Sequence, residues 1–204
     1  MGFYNDHVLP HVINLAMRNR ELQPCRERAI SQARGRVLEI GVGSGLNLAL
    51  YGAGVREILA VEPSARLVAM ARRAADRSSS PVTLIPACAE AIPVENESVD
   101  TVITTWTLCS IADVCGALAE MRRVLKPDGQ LVFVEHGLAP EERVRQWQNR
   151  LTPVWKRIGG GCHLNRPIHS LIESAGFAIA QMQTGYIKGP KPLTFMYEGR
   201  AIRS

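Results

Sequence analysis

The sequence predicts an α/β domain built on a doubly wound, mostly parallel sheet, and three observations carry that expectation. Short apolar runs at 37–40, 57–61, 82–85, 99–105 and 130–134 alternate with segments of helical periodicity. The runs are apolar almost throughout, not at every second residue, as in strands covered on both faces. A glycine cluster follows the first run directly, where such sheets place their ligand turns. The chain has 204 residues, enough for one domain, and its 46% apolar and 21% charged content excludes a disordered chain or a coiled coil. Its longest apolar stretches fall short of the ~20 residues that cross a bilayer.

Residues 4–34 read as two helices forming a cap. Val8, Val12, Leu15 and Ala16 recur at helical spacing, and Pro10 falls early enough for a first turn. The second helix ends near Gly35. Strand 37–40 follows, then the glycines, then a short helix from Leu46 to Tyr51. After strand 57–61, Ser64 has the character of an N-cap for a helix carrying Leu67, Val68, Met70, Ala71 and Ala74. Ser78-Ser79-Ser80-Pro81 is a loop before strand 82–85. Asp113 is placed to cap a helix bearing Val114, Leu118, Met121 and Leu125, which stops at Lys126-Pro127-Asp128-Gly129 before the fifth strand. Residues 140–158 are Arg- and Trp-bearing and helical in part, with an interruption expected at Pro153. A helix with Ile168, Leu171, Ile172 and Ala175 on one face ends at Gly176. Two strands near 177–185 and 193–202, joined without a helix, must pair antiparallel. The expected organisation is one domain: a helical cap over 1–34, a cofactor-binding core over 35–137, and substrate-side helices with closing strands over 138–204.

Glu39-Ile40-Gly41-Val42-Gly43-Ser44-Gly45 is the densest chemical signal. Glycines accept positive φ and let a ligand approach bare main chain, and a helix start behind them offers unpaired N–H groups. Twenty-one residues after Gly41, at the end of the second strand, stands Glu62. A carboxylate there can accept both ribose hydroxyls of an adenosine lying across the sheet. A dinucleotide fingerprint requires a third glycine where this chain has Leu46, which argues against a nicotinamide cofactor. The spacing favours S-adenosylmethionine, whose amino-acid end needs polar backbone and carries no phosphate.

The segments VLEIGVGSG, AVEPS, ACAEAIP, SVDTVITTWTLCSI and EMRRVLKPDGQLVFVEH, spanning 35–137, resemble the class I S-adenosylmethionine-dependent methyltransferases, in the group that includes the ubiquinone/menaquinone C-methyltransferases. The resemblance implies a seven-stranded sheet with its last strand antiparallel. It implies that Glu39, Gly41, Gly43 and Gly45 form the methionine side of the cofactor site and that Glu62, with Pro63 beside it, binds the ribose. The usual Gly-Asp-Ala-Glu loop reads Ala87-Cys88-Ala89-Glu90 here, so Cys88 stands where an adenine-binding Asp is expected. Recognition of adenine then falls to the Ala89 backbone and Glu90, with Cys88 a small buried filler. Thr105 and Trp106 would flank the reactive end, and Asp100 is structural. A narrower similarity, through WQNRLTPVWKRIGGGCHLNR, is to mammalian methyltransferases of small thiols that reside on membranes. Those carry an N-terminal membrane anchor that these residues do not contain.

For the acceptor, His136 at the end of the fifth strand is the first candidate catalytic residue, because imidazole exchanges protons near neutral pH. His163, in the glycine-rich run 159–166, is the second. Arg166 would hold an acidic acceptor or pair with a surface carboxylate, Cys162 is a further thiol, and Tyr4 and Trp106 are candidate wall aromatics. Five cysteines without a C-x-x-C pair, and a start Met1-Gly2-Phe3-Tyr4-Asn5-Asp6-His7 with no secretory character, predict a reducing cytoplasmic setting with neither disulfides nor metal. The net charge of +5 is mild. Arg143, Arg145, Trp147, Arg150, Trp155, Lys156 and Arg157 describe either a solvated cover helix or a peripheral membrane contact through 143–157; no nucleic-acid module accompanies them. The expected function is methyl transfer to a small or lipid-like acceptor, a thiol first, with phospholipid N-methylation and quinone C-methylation as alternatives. A non-catalytic cofactor-binding module is the alternative of another class.

Overall fold

The computed structural model describes residues 4–204. Met1, Gly2 and Phe3, part of the start read above, lie outside the described residues. Seven strands form one sheet: β1 (Gly35–Ile40), β2 (Val55–Val61), β3 (Val82–Ile85), β4 (Val99–Thr105), β5 (Leu125–His136), β6 (Phe177–Tyr186) and β7 (Phe195–Arg203), in the order β3-β2-β1-β4-β5-β7-β6. The first five are parallel, and β7 inserts antiparallel between β5 and β6. The order reverses between β1 and β4, so the carboxyl ends of those strands frame a crevice.

Both faces of the central strands are buried, which explains their continuous apolar runs. Leu38, Ile40, Leu59, Val61, Val102, Leu131 and Phe133 pack with Leu118 and Met121 of α4 (Val114–Val124) and Ile168 and Ile172 of α6 (Ile168–Ser174). Their chain neighbours Val37, Ile58, Ala60, Ile103, Val132 and Val134 face the other side. They meet Cys25, Ala29 and Ile30 of α2 (Gln23–Ile30) and Ala71 of α3 (Ala65–Ala75). The two expected caps form: Ser64 Oγ accepts from Leu67 N at 3.4 Å, and Asp113 Oδ1 accepts from Gly116 N at 2.9 Å. Each such cap stabilises its helix by about 1 kcal/mol. At the opposite end of the strands from the crevice, Asp100 accepts from Arg36 N (2.7 Å), Arg56 (2.9 Å) and Lys126 (2.7 Å), which gives it a structural place.

Four expectations are corrected. Residues 46–51 form no α-helix. They turn through i→i+3 bonds, Leu48 N to Gly45 O and Leu50 N to Asn47 O, because six residues between Gly45 and Gly52 leave too little length for a regular helix. The fifth strand starts at Leu125, which pairs with Val99 before the register shifts around 126–129. Helix α5 (Glu142–Ile158) runs unbroken through Pro153. Pro153 and Asn149 lie on its exposed side, so water can serve the carbonyl that the missing N–H leaves unpaired. In α1 (Leu9–Ala16), Pro10 does sit in the first turn, but the face carrying Val8, Val12 and Leu15 points outward. Leu9 and Pro10 are the buried residues there.

Candidate active site

A cavity of about 910 Å³ opens along the carboxyl ends of β1, β2 and β4 and continues beneath α1, α5 and α7 (Lys191–Thr194). Its first end is main chain. Gly41 and Gly43 adopt φ of +70° and +56°, and a Cβ on Gly43 would have only the Gly41 carbonyl oxygen, at 3.9 Å, within 4 Å. The space beyond is open cavity. Gly41 has a different reason: a Cβ there would come within 2.5 Å of the Thr107 side chain, whose hydroxyl donates to Ile40 O at 3.1 Å. Glu62 closes the loop, accepting from Gly43 N at 3.1 Å and Ser64 N at 3.0 Å. Burial pushes its carboxyl above the usual range, and these two N–H groups pull it back. Pro63, Ala89, Glu90, Thr105 and Trp106 line the same cavity, as does Cys88. Cys88 is exposed and not the buried filler expected, because its loop rims the opening. Glu90 Oε1 accepts from Asp113 N at 3.3 Å.

Four residues expected at the site are placed elsewhere. Gly45 does not line the cavity; it leaves room for α3, whose Ala74 would lie 2.7 Å from a Cβ. Glu39 lies under the loop with both oxygens engaged, by Asn47 Nδ2 at 2.7 Å and Tyr51 OH at 2.8 Å. Full burial raises its carboxyl to about 7, against the opposing pull of Tyr51, Asn47 and Arg26. His163 is turned onto Cys109, its N–H donating to that carbonyl at 2.8 Å and its Nδ1 lying 3.2 Å from the same oxygen, while its neighbours Cys162 and Leu164 reach the cavity. Arg166, expected on an acidic acceptor or a surface carboxylate, is buried and donates to the carbonyls of Leu108 and Ile111.

The site also holds groups that spacing did not reveal. Arg26 of α2 is buried on the cavity wall, donating to Asn47 Oδ1 (2.5 Å) and Met17 O (3.1 Å), with its guanidinium carbon 5.0 Å from the Trp106 ring centroid. Asn47 in turn bridges Glu39 and Thr105. An arginine in a cap helix carries no local signal of where its head goes. Trp106 has φ +53°, a left-handed conformation costing on the order of 1–3 kcal/mol for such a residue, at the turn where β4 ends. Glu135 lies fully buried under this turn and accepts from Thr104 Oγ1 (2.7 Å) and Thr107 N (3.1 Å).

The second end of the cavity is side chain. His136 is buried at its wall, with Nε2 3.4 Å from Pro192 O. Tyr4, Leu9, Ile13, Trp155 and Ile158 enclose it, and Tyr4 OH donates to Ile158 O at 2.9 Å. Outside this rim, Trp147, Leu151, Val154 and Ile158 make an exposed apolar stripe along α5, with Val12 and Leu15 of α1 exposed as well.

A methyltransferase-domain family model matches residues 38–133. The rat thiol S-methyltransferase TMT1B is 35% identical over 151 residues, covering 72% of this chain and 62% of that protein. The human TMT1B is 31% identical over 196 residues, covering 90% of this chain and 78% of that one. Among solved structures, a Thermotoga maritima S-adenosylmethionine-dependent methyltransferase, described as a possible histamine N-methyltransferase, superposes with a TM-score of 0.69 at 21% identity. It covers 98% of this chain and 100% of its own, a likeness of fold. The glycine turn, the carboxylate at the end of β2 and this kinship give one conclusion: the chain belongs to the S-adenosylmethionine-dependent methyltransferase family that includes the thiol S-methyltransferases TMT1B.

Proposed function

We propose that the protein transfers the methyl group of S-adenosylmethionine to the sulfur of a small apolar thiol. The observation that carries this is the continuity of the cavity, from bare main chain at Gly43 to the apolar enclosure around His136. The residues present fit the cofactor: Glu62 for the ribose diol, the Ala89 backbone for adenine, and Gly41 and Gly43 beside the methionine part. Arg26, a buried cation beside Asn47, suits the methionine carboxylate. When bound, the cofactor supplies a methyl sulfonium whose leaving group becomes a neutral thioether. The chain therefore has no developing negative charge to neutralise, and alignment is its main contribution; holding two reactants in register supplies roughly 7–11 kcal/mol.

His136 is the group placed to take a proton from the acceptor at the far wall. Trp106, fixed in its strained turn by Trp106 N to Val134 O (2.7 Å) and indole to Met196 Sδ (3.4 Å), holds the wall between the two ends. The exposed stripe on α5, flanked by the exposed Arg143, Arg150, Lys156 and Arg157, supports a peripheral contact with anionic lipid from which an apolar acceptor enters. Among the described residues no helix is long and apolar enough to cross a membrane, and the five cysteines are free thiols.

Labelled S-adenosylmethionine offered with a small alkyl thiol, phosphatidylethanolamine or a quinol tests the acceptor. Label on the thiol alone is the expected result; label on the lipid amine or quinol carbon would reassign it. Retention of cofactor without transfer to any of the three favours the non-catalytic alternative.

A further inference from the structure

We propose that Cys162 and Cys109 form a hydroperoxide-reactive dithiol site at the acceptor end of the cavity. Cys162 is the attacking sulfur and Cys109 the one that closes the disulfide.

The two cysteines are 53 positions apart in sequence but sit on adjoining loops. Two contacts hold those loops together. The residue after Cys162 donates its backbone N–H to the carbonyl of Cys109 itself, at 2.8 Å. Arg166 reaches from the same segment to the carbonyls of Leu108 and Ile111, on either side of Cys109. Gly161 also lies against this loop, where a Cβ would come within 3.1 Å of Ser110 O. Both thiols line one cavity, together with His136 and Trp155. The Cys109 sulfur rests 3.5 Å from Trp106 O.

The surroundings divide the roles. A hydrogen bond from the Cys109 thiol, joined by hydrogen bonds from His136 and the Trp155 indole, holds Cys162 well below the ordinary thiol range despite burial. The same hydrogen bond, burial and the charges of Cys162 and Glu135 push Cys109 up, so it stays a protonated thiol. Cys88 and Cys115, by contrast, are exposed.

The chemistry balances with a hydroperoxide as the one oxidant. The Cys162 thiolate attacks the terminal peroxide oxygen, the O–O bond breaks, and the departing alkoxide leaves as an alcohol after taking a proton. The resulting sulfenic acid is attacked by the Cys109 sulfur; an S–S bond forms, and the hydroxyl departs with the Cys109 proton as water. Two thiols lose two electrons and the hydroperoxide gains them. Because the bridge would span the acceptor end, the oxidised protein loses methyl transfer and a dithiol reductant restores it.

The test treats the full chain with hydrogen peroxide and maps peptides without reduction. The expected result is a Cys109–Cys162 crosslink that dithiothreitol reverses, with free thiols falling from five to three. Cys109→Ser should stop at a sulfenic acid on Cys162, trapped by dimedone. Cys162→Ser should leave Cys109 reduced. In the untreated protein, Cys162 should keep its iodoacetamide rate at pH values where a free small thiol has lost most of its own. First oxidation at Cys88 or Cys115, a mixed product without the crosslink, or a Cys162 alkylation profile matching the small thiol would overturn the site. A crosslink that leaves transfer intact would overturn the loss of activity. The crosslink is read by mass alone, so it stands or falls separately from the proposed acceptor.

Discussion

Around Gly43 the cavity wall is led by main chain, from the glycine turn after β1 and the residues that follow β2, with the 88–90 loop and Arg26 beside them. Around His136 the wall is side chains gathered from α1, α5, α7 and the loops at 106–112 and 159–166. On the proposed reading the first region recognises the cofactor by backbone shape, which constrains residue type tightly: little but glycine takes φ near +60° with a ligand overhead. The second recognises by size and apolarity, which many residue combinations satisfy. A cofactor end that tolerates few changes and an acceptor end that tolerates many is the arrangement by which one fold serves many acceptors.

The sharpest way to break this contrast is at His136. His136→Ala should lower the methylation rate of a small thiol by about 10²–10⁴-fold near neutral pH. Its affinity for S-adenosylhomocysteine should be unchanged by calorimetry. The deficit should shrink as pH rises past the acceptor thiol's own pKa, because the acceptor then arrives ionised. An equal loss of cofactor affinity would merge the two ends into one unit.

Gly43→Val should have its effect at the other end. A branched side chain at φ +56° points into the ligand space, so affinity for S-adenosylhomocysteine should fall about a hundredfold or more (about 2.7 kcal/mol). Far-ultraviolet circular dichroism should show the sheet retained. Glu62→Ala removes the proposed acceptor for two ribose hydroxyls and also frees Gly43 N and Ser64 N. A loss of about 1.5–3 kcal/mol in cofactor binding is expected. A change in thermal midpoint with affinity intact would make Glu62 a loop fastener only.

The smallest effect is expected far from both ends. Burial alone would raise Asp100, but Lys126, the Arg36 N–H and Arg56 outweigh it and hold the carboxyl at about 2. A depressed carboxyl stabilises the fold above its unfolded pKa and loses that contribution as pH falls through the folded one. Asp100→Asn should therefore cost about 1–2 kcal/mol in urea unfolding at neutral pH, allowing for solvent screening. The gap to the wild type should close between pH of about 4 and about 2, with cofactor affinity untouched throughout.

The same contrast governs what the sequence made legible. The sheet, both caps, the antiparallel closing pair and the glycine–Glu62 constellation were readable because each rests on local spacing. Glu39 was recognisable as an unusual acid in a strand, yet its use under the loop depended on Asn47 and Tyr51, whose side-chain directions no spacing gives. Arg26 was hidden for the same reason, and one residue of loop register puts Cys162 rather than His163 on the cavity. On α1 the periodicity was real, but the apolar face turned outward; spacing identifies a face without saying what covers it. Pro153 read as a break because the usual penalty assumes that no water reaches the freed carbonyl.

The two bonds from Arg166 to the carbonyls of Leu108 and Ile111 address backbone, not side chains. A single guanidinium thereby fixes the path of the loop between them whatever residues that loop carries. Replacing the side chain of Cys109 or Ser110 leaves both of those bonds available. Replacing the arginine would put every such variant at risk together.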